Sequence, residues 1–187
     1  METILTDEMD DCINNVCNWM FKYQKLHHTE KMCITNTQIL YDIIKYTYPH
    51  LKVEAKTVVC ISNDDINSIT RIITHVVVVI NDTEIYDPSY EIISLQNVQY
   101  IENVKQFMRR TKDAAPKELL IQTIDDIVAL TKLANRINSG ELIITDKDYY
   151  NELFDYLLSK CDGMMETTKG WGSLSKCDGM GIGKGKR

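Results

Sequence analysis

A thiol, an imidazole and a carboxylate (Cys33, His75 and Asp87) occur in that order, each in a setting suited to thiol-based acyl transfer. Cys33 heads a stretch with helical periodicity, Cys-Ile-Thr-Asn-Thr-Gln-Ile-Leu-Tyr. His75 opens the apolar run His-Val-Val-Val-Val-Ile, and Asp87 stands directly before Pro88. A nucleophile, a base and an orienting carboxylate are the three parts of a catalytic triad. A cysteine at a helix N-terminus faces unpaired backbone N–H groups, whose partial positive charge favours the thiolate. Those same groups would hold the oxyanion formed when the thiolate attacks a carbonyl.

The elements that must position these residues can be read from periodicity. Residues 7–27 form an amphipathic helix, with Met9, Ile13, Val16, Met20 and Phe21 on its apolar side. A second helix starts near Cys33, carries Ile39, Leu40, Ile43 and Ile44 on one side, and must stop before Pro49. Val53–Ile61 is β-branched and reads as a strand, followed by a polar loop over Ser62–Ser68. Arg71–Ile80 and Glu84–Ile93 are expected to form a hairpin around Asn81-Asp82-Thr83. The run His75–Ile80 is apolar on both faces, as an interior strand would be.

That hairpin sets a geometric condition. A three-residue loop pairs Ile80 with Glu84, which leaves Asp87 diagonal to His75 on one face, about 7–8 Å apart at Cβ. A loop of two or four residues would put them on opposite faces unless a bulge intervened. Pro88, with no N–H for the ladder, should end the strand just after the carboxylate.

The rest of the chain reads as helical: residues 94–112, then Pro116 to Gly140, then a last helix capped by Thr145 and containing Tyr149, Leu153, Phe154, Leu157 and Leu158. Leu-Ser-Lys-Cys-Asp-Gly-Met occurs at 158–164 and again at 174–180, two copies being too few for a solenoid. The organisation expected is a core over 1–93, a helical extension over 94–160 and a flexible tail over 161–187.

Bulk properties exclude several classes. A net charge of −6 and a pI near 5.2 argue against a nucleic-acid partner. No apolar run approaches a membrane span, and the acidic first residues cannot serve as a secretory leader. Six cysteines without such a leader read as reduced thiols. A soluble cytoplasmic protein is expected. Abundant Ile, Asn, Lys and Tyr suggest the AT-rich genome of a virus or a protist, and a viral gene would place the protein in the host cytoplasm. His27-His28 with Cys17 or Cys33 lacks the paired spacing of zinc sites, so no metal is expected. Gly181-Ile-Gly183-Lys-Gly185 lacks the strand and helix of a phosphate-binding loop.

Lys31–Tyr48, Val53–Ile61 and His75–Tyr90 together resemble the transglutaminase-like branch of the papain-type cysteine enzymes over residues 30–92. The resemblance implies an α+β fold: a small antiparallel sheet with the cysteine helix packed on it, here with a C-terminal helical extension. It implies Cys33 as nucleophile, His75 as general base and acid, and Asp87 as orienting acid. The chemistry would be hydrolysis or transfer at amide carbonyls of a protein or peptide, with no metal or organic cofactor. The chain departs from the family at Met32, where glycine is common, and at Val76 and Val77, where alanine and tryptophan are common. Gln24 and Trp19 are the upstream candidates for an oxyanion side chain. The alternative reading is an inactive transglutaminase-like fold serving as a protein-interaction module.

Overall fold

In the computed structural model, Thr6 caps the first helix, α1 (Asp7–His27), accepting from the Met9 N–H at 3.3 Å. Asp7, Glu8 and Asp10 in its first turn and Lys25 and His27 in its last suit the helix dipole. The structure describes residues 3–62, 71–95, 97–111, 113 and 115–160. The expected tail over 161–187, and the polar loop beyond Ser62, lie outside them. Among the described residues the chain forms six helices and one four-stranded antiparallel sheet, a mixed α+β architecture.

The second helix, α2 (Cys33–Thr47), is more central than a one-sided apolar pattern suggests. Every residue from Ile34 to Tyr41 is buried, including Thr35, Asn36, Thr37 and Gln38. Burying such groups costs free energy unless each finds a partner. Each does. Thr35 bonds Thr145 at 2.9 Å, Thr37 donates to the Val76 carbonyl at 2.9 Å, and Gln38 accepts from the Ile143 N–H at 2.7 Å. Asn36 bonds three side chains in the network described below.

The sheet comprises β1 (Val53–Ser62), β2 (Arg71–Ile80), β3 (Glu84–Tyr86) and β4 (Val98–Ile101), in the order β3-β2-β1-β4. β1 and β2 pair in register from Val53↔Ile80 to Ser62↔Arg71. Side chains alternate, so the sheet has two distinct faces. On one face Val53, Ala55, Val76, Val78 and Ile80 meet α1, α2, α5 (Lys117–Asn138) and α6 (Lys147–Lys160) in the main core. Farther along, Val59, Ile61 and Ile101 meet Phe107 of α4 (Val104–Thr111) and Leu120 of α5. The opposite face carries Val58, Cys60, Val77 and Val79, packed with Ile92 of the short helix α3 (Tyr90–Ile93).

Two expected elements differ. The strand expected over Glu84–Ile93 ends at Tyr86, because Pro88 has no N–H and the Ser89 N–H turns back to the Asp87 carboxylate at 2.9 Å, opening α3. The stretch expected to be helical over 94–112 contains β4, which pairs with Val59–Ser62 of β1, before α4 begins. Beyond β4, the edge of β1 is closed by an amide: Asn138 accepts from the Ala55 N–H at 2.6 Å and donates to its carbonyl at 2.9 Å.

The last two helices have clear boundaries. α5 ends in a Schellman motif, with Gly140 at φ 92, its N–H on the Ile137 carbonyl and the Glu141 N–H on the Arg136 carbonyl. Asp146, rather than Thr145, caps α6 by accepting from the Tyr149 N–H at 3.0 Å. Thr145 is one residue too early, and its own hydroxyl and N–H both bond Thr35.

Candidate active site

The hairpin loop has three residues, with Ile80 opposite Glu84 and Val78 opposite Tyr86. Continuing that register places Asp87 diagonal to His75 on one face, and His75 Nε2 meets Asp87 Oδ1 at 2.8 Å. Both side chains are buried, at 3% and 2% exposure. A carboxylate only accepts, so Nε2 is the donor and Nδ1 is left for the other partner of the ring, the Cys33 side chain.

The end of β3 explains how α2 reaches His75. The Asn81 N–H bonds the Lys52 carbonyl on the β1 side, so even-numbered residues of β2 turn their backbone groups toward β3. β3 stops opposite Val78, which leaves the Val76 carbonyl facing the vacated edge. The Thr37 hydroxyl takes it. Thr37 and Cys33 are four residues apart and share a face of α2, so this bond sets the thiol beside residue 75.

Cys33 is half-buried, whereas His75 is 2% exposed. The nucleophile candidate is thus the member of the set that an incoming group can touch. Met32 provides no side-chain cap, and the first helical bond runs from the Asn36 N–H to the Met32 carbonyl at 2.8 Å. The N–H groups of Cys33, Ile34 and Thr35 precede that bond and have no acceptor within the helix.

Electrostatics favour a charged imidazole here. Burial alone would lower the basicity of His75, but the Asp87 charge and hydrogen bond, then Cys33, outweigh it and raise the pKa from 6.5 to about 10. Cys60, on β1, shows the opposite environment. It is 1% exposed, burial pushes its thiol well up, and Asp87 and Cys33 both act in the same direction. A thiol influenced by both groups lies close to the site, but away from solvent.

The Asp87 carboxylate is held at both oxygens. Oδ1 accepts from His75 and the Ser89 N–H, and Oδ2 accepts from the Tyr100 hydroxyl at 2.8 Å. Behind this segment lies a polar cluster. Gln24 donates to the Met20 and Pro88 carbonyls at 3.1 and 2.6 Å and accepts from Asn36 and the Tyr90 N–H. Asn36 also donates to Ser89 at 3.3 Å and accepts from the Tyr149 hydroxyl at 2.6 Å.

The upstream oxyanion candidates are placed differently from the triad residues. Both Gln24 donors are directed to carbonyls, so its role in this structure is to hold the 88–90 segment in place. Trp19 lies in the main core at 4% exposure. Asn36, Ser89 and Tyr100 were not singled out from sequence. The one signal available was a polar Thr-Asn-Thr-Gln run inside an otherwise apolar helix.

Among the described residues Cys12, Cys17, Cys33 and Cys60 are thiols outside any disulfide, and no group of three or more His, Cys, Asp or Glu could hold a metal ion. No described helix is long and apolar enough to cross a membrane. No protein family, curated protein or solved structure matches this chain.

Proposed function

We propose that the chain is a thiol-dependent hydrolase or acyltransferase of the transglutaminase-like type, acting on amide bonds of a protein or peptide. The observation that carries this reading is the buried hydrogen bond between Asp87 and His75, whose basicity the half-exposed Cys33 also raises from an uncapped helix start. In the proposed reaction, Cys33 Sγ attacks the carbonyl carbon and its proton resides on His75 Nδ1. The first-turn N–H groups of α2 hold the resulting oxyanion. His75 then protonates the leaving amine, and the C–N bond breaks to give a thioester on Cys33. Water or an acceptor amine releases the acyl group and returns the proton through His75. Thiols outside any disulfide suit a reducing compartment, and the cytoplasm is the proposed location.

Intact-mass spectrometry after incubation with a library of activated peptide esters and amides tests this reading. The expected result is a single acyl adduct on Cys33, absent in Cys33→Ala and strongly reduced in His75→Ala. No adduct on the wild type, or equal labelling of Cys33→Ala, would overturn it in favour of an interaction module.

A further inference from the structure

The sheet order puts β3 and β4 at opposite edges, three strand spacings or about 14 Å apart in a flat sheet. Yet Tyr100 of β4 donates its hydroxyl to Asp87, one residue past β3, at 2.8 Å. The sheet therefore curls toward this face. Tyr100 pairs with Cys60 on β1, and two residues earlier Val58 pairs with His75, so the phenol lies diagonally across β1 from the imidazole.

We propose that Tyr100 is a positioning residue that orients the Asp87 carboxylate behind His75. The proposal rests on the reading of Cys33, His75 and Asp87 as a reacting set. It adds a residue beyond the 30–92 stretch that carries the family resemblance. Three donors determine the orientation of the carboxylate. His75 and the Ser89 N–H share Oδ1, so on that side alone the plane can still rock about the bond to Cβ as those two bonds lengthen. The Tyr100 hydroxyl on Oδ2 is the third point that stops that rotation. Without it, His75 would lose the fixed partner that keeps Nδ1 aimed at the thiol.

Tyr100→Phe removes the hydroxyl and keeps the ring that packs beside Val58, Cys60 and Val77. Proton NMR of histidine-labelled protein reads the Nε2 proton of His75 directly, and competitive alkylation reads Cys33. The variant is expected to exchange the Nε2 proton with water about tenfold faster and to alkylate Cys33 about tenfold more slowly, while still unfolding in one cooperative transition. An Nε2 exchange rate equal to that of the wild type would overturn the proposal. If wild-type Cys33 is no faster than the other thiols, the enzymatic reading fails, and the Nε2 rate still decides the role of Tyr100. If the variant does not fold, the wild type provides the test: a slowly exchanging Tyr100 hydroxyl proton supports the proposal, and a freely exchanging one overturns it.

Discussion

The two faces of the sheet share the same strands but bury different chemistry. From β2, Val76, Val78 and Ile80 enter a core shared with four helices, where neighbours such as Met20, Leu40, Ile137 and Leu153 are essentially inaccessible. His75, Val77 and Val79 turn to the other face, where Asp87, Tyr100 and Cys60 gather against α3. The first face is non-directional, so its contribution scales with apolar area removed from water. The second depends on hydrogen-bond geometry, in which one misplaced group leaves others unpaired. Substitutions on the helix-covered face should therefore change stability, and those on the α3 face should change reactivity.

The largest expected effect is on the polar face. Asp87→Asn leaves the shape intact but can present an N–H to Nε2, favouring the wrong tautomer. Cys33 alkylation near neutral pH should fall by about a hundredfold or more. Unchanged alkylation would detach Asp87 from the set. The same pair should make stability depend on pH. The fold raises the pKa of His75 from 6.5 to about 10, so the stabilisation from its protonated form is full below pH 6.5 and is lost as pH rises through about 10. Urea titrations should show wild type losing more stability across that window than His75→Gln. Parallel curves would contradict the assignment.

On the other face, Leu153→Ala should destabilise by about 2–5 kcal/mol, measured by urea denaturation, because Leu153 is fully buried where α6 meets the main core. In the folded fraction, the alkylation rate of Cys33 relative to Cys60 should stay the same. A change in that ratio would show that the two faces are not separable. The smallest effect sits where they join. Thr37→Val removes the donor to the Val76 carbonyl and should cost about 1–3 kcal/mol. It should also slow Cys33 alkylation, since that bond sets α2 beside His75. A loss of stability with unaltered reactivity would mean the helix is placed by packing alone.

These differences also explain how far the sequence could be read. The α1 boundaries, the extent of β2 and the 81–83 loop rest on local signals: a Thr cap, an apolar period and turn residues flanked by β-branched runs. The His75–Asp87 pairing was legible for the same reason, since it lies within one hairpin and follows from loop length. β4 was not, because Val98–Ile101 is short and becomes a strand by pairing with residues some forty positions earlier. Tyr100 depends on that pairing and on the curl of the sheet, neither of which leaves a mark on its neighbours. From sequence, Asn36 is an ordinary helix residue and Gln24 an oxyanion candidate. Their roles come from Pro88, Ser89 and Tyr149, brought in from distant parts of the chain.

The central claim is that Cys33 and His75 act as a pair, and the pH dependence of alkylation at each of the six cysteines tests it most directly. Mass spectrometry would follow each thiol in wild type and His75→Ala. Cys33 alone should react fast below pH 7 and lose that advantage in the variant. If Cys33 instead tracks the other five thiols, or keeps its rate without His75, the thiol and imidazole do not work together and the proposed chemistry is wrong.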